Sequence, residues 1–518
     1  MRKTIGLLII GFLAFPSLSY GISAEVTQSL ETKLDRWEVE EAWSEVRALL
    51  ATDAKDPVLL ELGSHIAFHR GHYQEALRLI KSANEGVGDD EKKKAFALFV
   101  EQTLGVTGSF KRIESAHFII SLDEKQDGIL ADYMTDALEM TFRTMADKYG
   151  FQPKEKIRVE VFPDSKGFYY ASTLSARDIE MGAVGLAQFN KLMMLSPRAL
   201  VHGYRWLDAV SHEFMHYLIL RLTSNKAPIW FHEGLAKYEE TEWRKGPSYL
   251  SKLYQSLLGK ALAEKKLIPF EKMEPSVVRL ETPEEVQLAY AQAASAIEFT
   301  IARSGHEGLR EIMKRMATSQ ERGAGESIKG VLGLRFEEFE THWKEFLAAK
   351  EFKEVAGANV RRYKIKEGKT DEDRLEMEEI KSLVARNRTH LGDLLKERGR
   401  TGAAVSEYRR ALAGAPGSVP IMTRLSSVLK DLDRNGEALD ILKKARVLSP
   451  DHPTIYTHLG QIYLKAGNSK EARDAFQESL QINPFNPEVH QGLARAYEML
   501  GEKSEALKEK EITKKLTQ

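Results

Sequence analysis

His212-Glu213-Phe214-Met215-His216 and, further on, Trp230-Phe231-His232-Glu233-Gly234-Leu235-Ala236 are the segments of this chain whose residue types can do chemistry. Two histidines four positions apart fall on one face of a helix, with a glutamate beside the first. That spacing aims both imidazoles at one zinc ion and leaves Glu213 free to take a proton from water at the metal. Glu233 follows His216 by 17 residues, room for a turn through Thr223-Ser224-Asn225-Lys226 and a second helix crossing back. His212, His216 and Glu233 then make a two-histidine, one-carboxylate site for Zn2+, with a fourth position open to water. The competing reading is two buried or capped histidines and a solvated glutamate. His232 projects about 100 degrees away from Glu233 on a helix, so it reads as a neighbour of the site and not a ligand.

Such a site needs a frame. The apolar stretch 206–220 suits a buried helix, and helices are expected over 206–222, 228–243 and 284–304. Ahead of them, 115–122, 157–162 and 192–195 read as strands, with a long helix over 129–149. A small mixed sheet before a metal-bearing helix is an α+β arrangement, expected to occupy residues 113–347. An edge strand around 185–195 is expected to pair with an extended peptide backbone. There, Gly185-Leu186-Ala187 either permits close backbone approach or ends a turn. Helical, repeat-like pairs are expected over 35–110, and a charged linker over 348–385.

The last third is periodic. Leu391, Leu425, Leu459 and Leu493 are spaced by 34 residues, as are Ala404, Ala438, Ala472 and Ala506. Leu395, Leu429, Tyr463 and Tyr497 hold a third register, and Gly399, Gly467 and Gly501 a fourth, with Asp433 in place of the glycine. Pro420, Pro453 and Pro487 open helices where a missing amide hydrogen matters little. This is the pattern of tetratricopeptide (TPR) repeats, a solenoid expected over 386–518. Its concave face is expected to hold a protein partner, the alternative being a stacking scaffold without a ligand.

At 518 residues, with 42% hydrophobic and 29% charged residues, the chain is expected to form several globular domains. A formal net charge of -1 gives no support for nucleic-acid binding. Arg2 and Lys3 before an apolar run from Ile5 to Phe15, then Ser19-Tyr20-Gly21, read as a signal peptide over residues 1–21. No later segment is long and apolar enough to span a membrane. The expected location is a bacterial periplasm or the exterior. Without cysteine, neither disulfides nor thiolate metal sites are available. His65, His69 and His72, with Glu61 and Glu75 the nearest acids, resemble a second metal cluster but are expected to be a chance grouping.

The two segments His212–His216 and Trp230-Phe231-His232-Glu233-Gly234-Leu235-Ala236-Lys237-Tyr238 together resemble the gluzincin metallopeptidases of the MA type, a group often joined to TPR repeats. The resemblance extends over roughly residues 113–315 and implies zinc on His212, His216 and Glu233, with Glu213 as general base and proton shuttle. It also implies a transition-state tyrosine on a later helix, at the position of Tyr290 in Leu288-Ala289-Tyr290-Ala291-Gln292, the alternative being an ordinary core aromatic. Lys237 stands where thermolysin-like relatives carry an acid that orients a zinc histidine, a departure that leaves this partner unassigned: Glu239, Glu240 or neither serves. No segment offers an anchor for a free amine, so endopeptidase action on a peptide or protein substrate is expected. The other reading is a protein-binding TPR scaffold with an inactive peptidase-like domain.

Overall fold

The computed structural model describes residues 23–85, 90–352, 360, 363–366 and 372–518. The signal peptide expected over residues 1–21 lies outside them. Five helices come first: α1 (Ala24–Asp35), α2 (Val39–Thr52), α3 (Pro57–His69), α4 (Tyr73–Asn84) and α5 (Glu91–Thr107). Their starts follow local chemistry. Asp56 accepts hydrogen bonds from the Val58 and Leu59 amides ahead of Pro57, and Asp90 caps α5 in the same way.

The sheet contains β1 (Lys111–Glu114), β2 (Phe118–Leu122), β3 (Ile157–Phe162), β4 (Gly185–Gln188) and β5 (Lys191–Leu195), in the order β1-β2-β3-β5-β4. The inner pairs are parallel and both outer pairs antiparallel. Helices α6 (Glu124–Asp127) and α7 (Leu130–Tyr149) connect β2 to β3, while α8 (Ser165–Ala171) and α9 (Ala176–Met181) lead to β4. The single edge strand expected around 185–195 is instead a hairpin, turned by Phe189 and Asn190, both at φ 54°. Two successive left-handed residues match the strand twist in a two-residue turn. Only β4 is an edge. The sequence also conceals β1, because Lys111-Arg112-Ile113-Glu114 is exposed and mostly charged.

Beyond the sheet run α10 (Trp206–Thr223), α11 (Ile229–Glu239), α12 (Lys252–Ala263), α13 (Pro283–Thr318), α14 (Gly325–Leu332) and α15 (Phe336–Ala348). Helix α13 extends past the expected 304, kinked at Gly305, whose φ of 67° a glycine adopts without strain. One continuous core of buried apolar side chains runs from Leu30 to Leu347, so the first helices pack onto the α+β fold. A buried polar bridge fastens them: Lys191 Nζ donates to Glu160 Oε2 at 2.6 Å and to the Tyr73 hydroxyl at 2.5 Å. His65 stacks on Phe96 at 3.9 Å, and burial lowers its pKa to about 4.

Helix α16 (Glu372–Glu379) precedes four helical pairs: α17 (Leu383–Glu397) with α18 (Thr401–Gly414), α19 (Val419–Asp431) with α20 (Asn435–Leu448), α21 (Pro453–Lys465) with α22 (Ser469–Leu480), and α23 (Pro487–Leu500) with α24 (Lys503–Thr517). Asp433 takes the left-handed conformation (φ 60°) that Gly399, Gly467 and Gly501 take in the other repeats. Leu425, Leu459 and Leu493 are buried as the period requires, but Leu391 is 45% exposed at the open end of the stack. The segment expected to be a linker is partly pinned, for Ile365 bridges to Leu200 and the Lys366 amide donates to the Ala199 carbonyl at 2.7 Å.

The repeats dock onto the start of α10. The Tyr204 and Trp206 amides donate to the Ile482 and Gln481 carbonyls at 3.0 and 3.1 Å, and the Trp206 indole to Leu480 at 3.0 Å. Arg205 pairs with Asp451 at 2.6 Å and Glu478 at 2.9 Å. Carbonyls left over at the end of α22 thus satisfy donors at the beginning of the histidine helix.

Candidate metal centre

Helix α10 carries the histidines within an almost wholly buried sequence, which fixes its rotation. The ring centroids of His212 and His216 lie 4.7 Å apart. Helix α11 crosses back as expected and brings Glu233 between them, its Oε2 3.4 Å from both His212 Nε2 and His216 Nε2. Gly234 makes this crossing possible: a β-carbon there would lie 2.5 Å from the Ala293 carbonyl oxygen of α13. The same close packing brings Tyr290, on α13, over the site, its ring 6.1 Å from that of His212.

Charge is concentrated here. Burial works against a charged His212, but the carboxylates of Glu233 and Glu240 overcome it and hold its pKa up at about 10. Burial likewise opposes ionisation of Glu233, yet His216 and His212 keep its carboxyl below the usual range. Glu213 moves the other way, pushed up by burial against the pull of His216 and His212. Its Oε2 is buried and makes no hydrogen bond. Burial, with Glu233 and Glu213 nearby, keeps the Tyr290 phenol protonated far above neutral pH. His232 lies 5.6 Å from the His216 ring and is held neutral by burial, its pKa lowered to about 3.

The question left by Lys237 has a geometric answer. Glu240 Oε2 lies 3.3 Å from His212 Nδ1, orienting that ring from behind. Lys237 Nζ donates to the other oxygen of Glu240 at 2.5 Å, so the lysine holds the carboxylate that faces His212. Glu239 faces elsewhere, accepting from Tyr149 and Lys148 at 2.5 and 2.8 Å. Gly185 also resolves: it permits close approach, but to Glu213, whose Oε1 would lie 2.5 Å from a β-carbon at that position.

Two imidazoles, a shared carboxylate oxygen and a hydrogen-bond-free oxygen on Glu213 fit a zinc ion and an adjacent water. Residues 137–349 match the family model of the Peptidase MA superfamily, and residues 463–509 match that of the tetratricopeptide repeat. No curated protein matches the chain. Among solved structures, MamA AMB-1 is 25% identical, covering 27% of this chain and 85% of its own, with a TM-score of 0.24. MamA MSR-1 is 24% identical over 27% and 83%, also with a TM-score of 0.24. Among the described residues, no helix is long and apolar enough to cross a membrane. Residues 137–349, with the HExxH motif of His212, Glu213 and His216 inside them, are therefore a gluzincin-like Peptidase MA domain equipped for zinc-peptidase chemistry, joined to a tetratricopeptide-repeat region.

Proposed function

We propose that the chain is an exported endopeptidase in which His212, His216 and Glu233 hold zinc, Glu213 moves protons, and the repeats recruit a substrate or partner protein. One observation carries this reading: Glu233 Oε2 is equidistant from both histidine Nε2 atoms, at 3.4 Å, with Glu213 Oε2 buried beside them and free of hydrogen bonds. Zinc, when bound, supplies Lewis acidity to a peptide carbonyl and acidifies water. Glu213 accepts a proton from the attacking water and returns it to the departing amine, a cycle that its raised pKa favours. Tyr290 donates a hydrogen bond to the developing oxyanion. The outer edge of β4 pairs with an extended substrate backbone, holding the scissile bond beside Glu213. The segment 1–21 directs export, to a bacterial periplasm or beyond.

Glu213→Gln tests this on the full mature chain. Zinc content is expected to stay unchanged while hydrolysis of fluorescent casein falls by about 10²–10⁴-fold. Undiminished hydrolysis in that variant would sink the assignment.

A further inference from the structure

A second group of histidines and carboxylates lies away from the HExxH motif, at the seam between the catalytic domain and the repeats. His202 sits in the loop that leads into α10, Glu376 and Glu379 on α16, and His452 at the N-cap of α21. Glu376 Oε1 is 3.8 Å from His202 Nδ1 and 3.9 Å from His452 Nε2, and the two imidazole rings are 4.8 Å apart. Glu379 Oε1 lies 3.7 Å from His202 Nε2. One ligand atom from each of His202, Glu376 and His452 falls within 4.8 Å of the other two.

These side chains are shielded, with exposures of 11%, 17% and 1% for His202, Glu376 and His452. None of the contacts among them is short enough for a hydrogen bond, and His202 Nε2 is buried without one. Buried polar atoms ordinarily find partners, and facing lone pairs held slightly too far apart leave room for a cation between them. The second oxygen of Glu376 is already engaged by Arg424 at 2.9 Å, which turns Oε1 towards the histidines.

We propose that His202, Glu376 and His452 bind a second divalent transition-metal ion, best matched by zinc, that staples the repeats to the catalytic domain. Tetrahedral zinc, with bonds of about 2.0–2.1 Å, sets its ligand atoms ~3.3 Å apart, so the two Glu376 contacts close by about 0.5 Å and the two imidazole nitrogens by up to ~1.5 Å on binding. Water completes the coordination. Three segments remote in sequence become cross-linked, and one of them runs straight into the histidine helix: His202 is four residues ahead of Trp206, where α10 begins. The role is structural, and it stands independently of the roles assigned around Glu213.

Zinc counting on the full mature chain tests the proposal. After saturation with zinc and removal of excess by gel filtration, wild type is expected to hold about two zinc ions per chain, and His202→Asn or His452→Gln about one. A metal-stripped His212→Ala variant isolates the second site. Titrated with Co2+, it is expected to develop the visible absorption of nitrogen-ligated cobalt, and to lose it when His452→Gln is added. Circular dichroism confirms folding, and the two single variants check each other. A wild type that saturates at one zinc, or a cobalt spectrum in His212→Ala that survives His452→Gln, would overturn the second site. Loss of the HExxH metal alone would leave that spectrum intact.

Discussion

Gly185 and Glu213 touch in a way that only glycine permits. A β-carbon at position 185 would lie 2.5 Å from Glu213 Oε1 and 2.6 Å from its Cγ, so β4 and Glu213 are packed to the limit. The edge expected to receive substrate and the carboxyl expected to move protons therefore occupy a fixed relation. Gly185→Ala should displace Glu213 and lower kcat/KM by about 100-fold, the effect of misplacing a reacting group by roughly an ångström. Zinc content and melting temperature should change little. Peptidase assays beside metal analysis check this, and normal activity would show that the contact is irrelevant.

Glu239 and Glu240 separate a structural acid from a site acid. Glu240→Gln weakens the bond behind His212 and should reduce zinc affinity at the HExxH site by about 10–100-fold. Glu239→Gln should leave that affinity alone. It should lower stability, because Lys148 and the buried Tyr149 hydroxyl lose their charged partner. Competition with a zinc chelator, alongside thermal unfolding, distinguishes the two, and the reverse pattern would refute the assignment.

Tyr290→Phe removes one hydroxyl and keeps the ring. If that hydroxyl donates to the oxyanion, kcat should fall by about 10²-fold with KM and zinc content little changed. A loss confined to KM would make Tyr290 a binding residue, and no loss would make it part of the core.

Asp127 gives the protein an acid-side stability gradient. Its carboxyl accepts from Ser196 at 2.8 Å, but burial dominates and raises its pKa from 3.8 to about 6. The folded state therefore favours the protonated form. The associated stability is complete below pH ~4 and is lost as pH rises through about 6, a change of roughly 3 kcal/mol. Asp127→Asn should flatten this part of the profile. Denaturant unfolding of both proteins from pH 4 to 7 measures it, and parallel curves would refute it.

The sequence by itself determined the local periodicities. The four-residue spacing of His212 and His216 sets them on one helical face, the alternation over 157–162 matches β3, and the 34-residue period appears as four helical pairs. Each of these is written into consecutive residues, because helix and strand geometry repeat along the chain. Which of two adjacent acids backs His212 is not. Glu239 and Glu240 differ only in rotation about α11, and packing against α7 and α10 decides it. Leu391 obeys the period yet is exposed, since burial depends on a neighbour that the end of a stack lacks. The same holds for β1, which is a strand because β2 pairs with it, and for the approach of His202, Glu376 and His452. Contacts between remote segments depend on how whole helices and strands pack, and no short-range pattern encodes that.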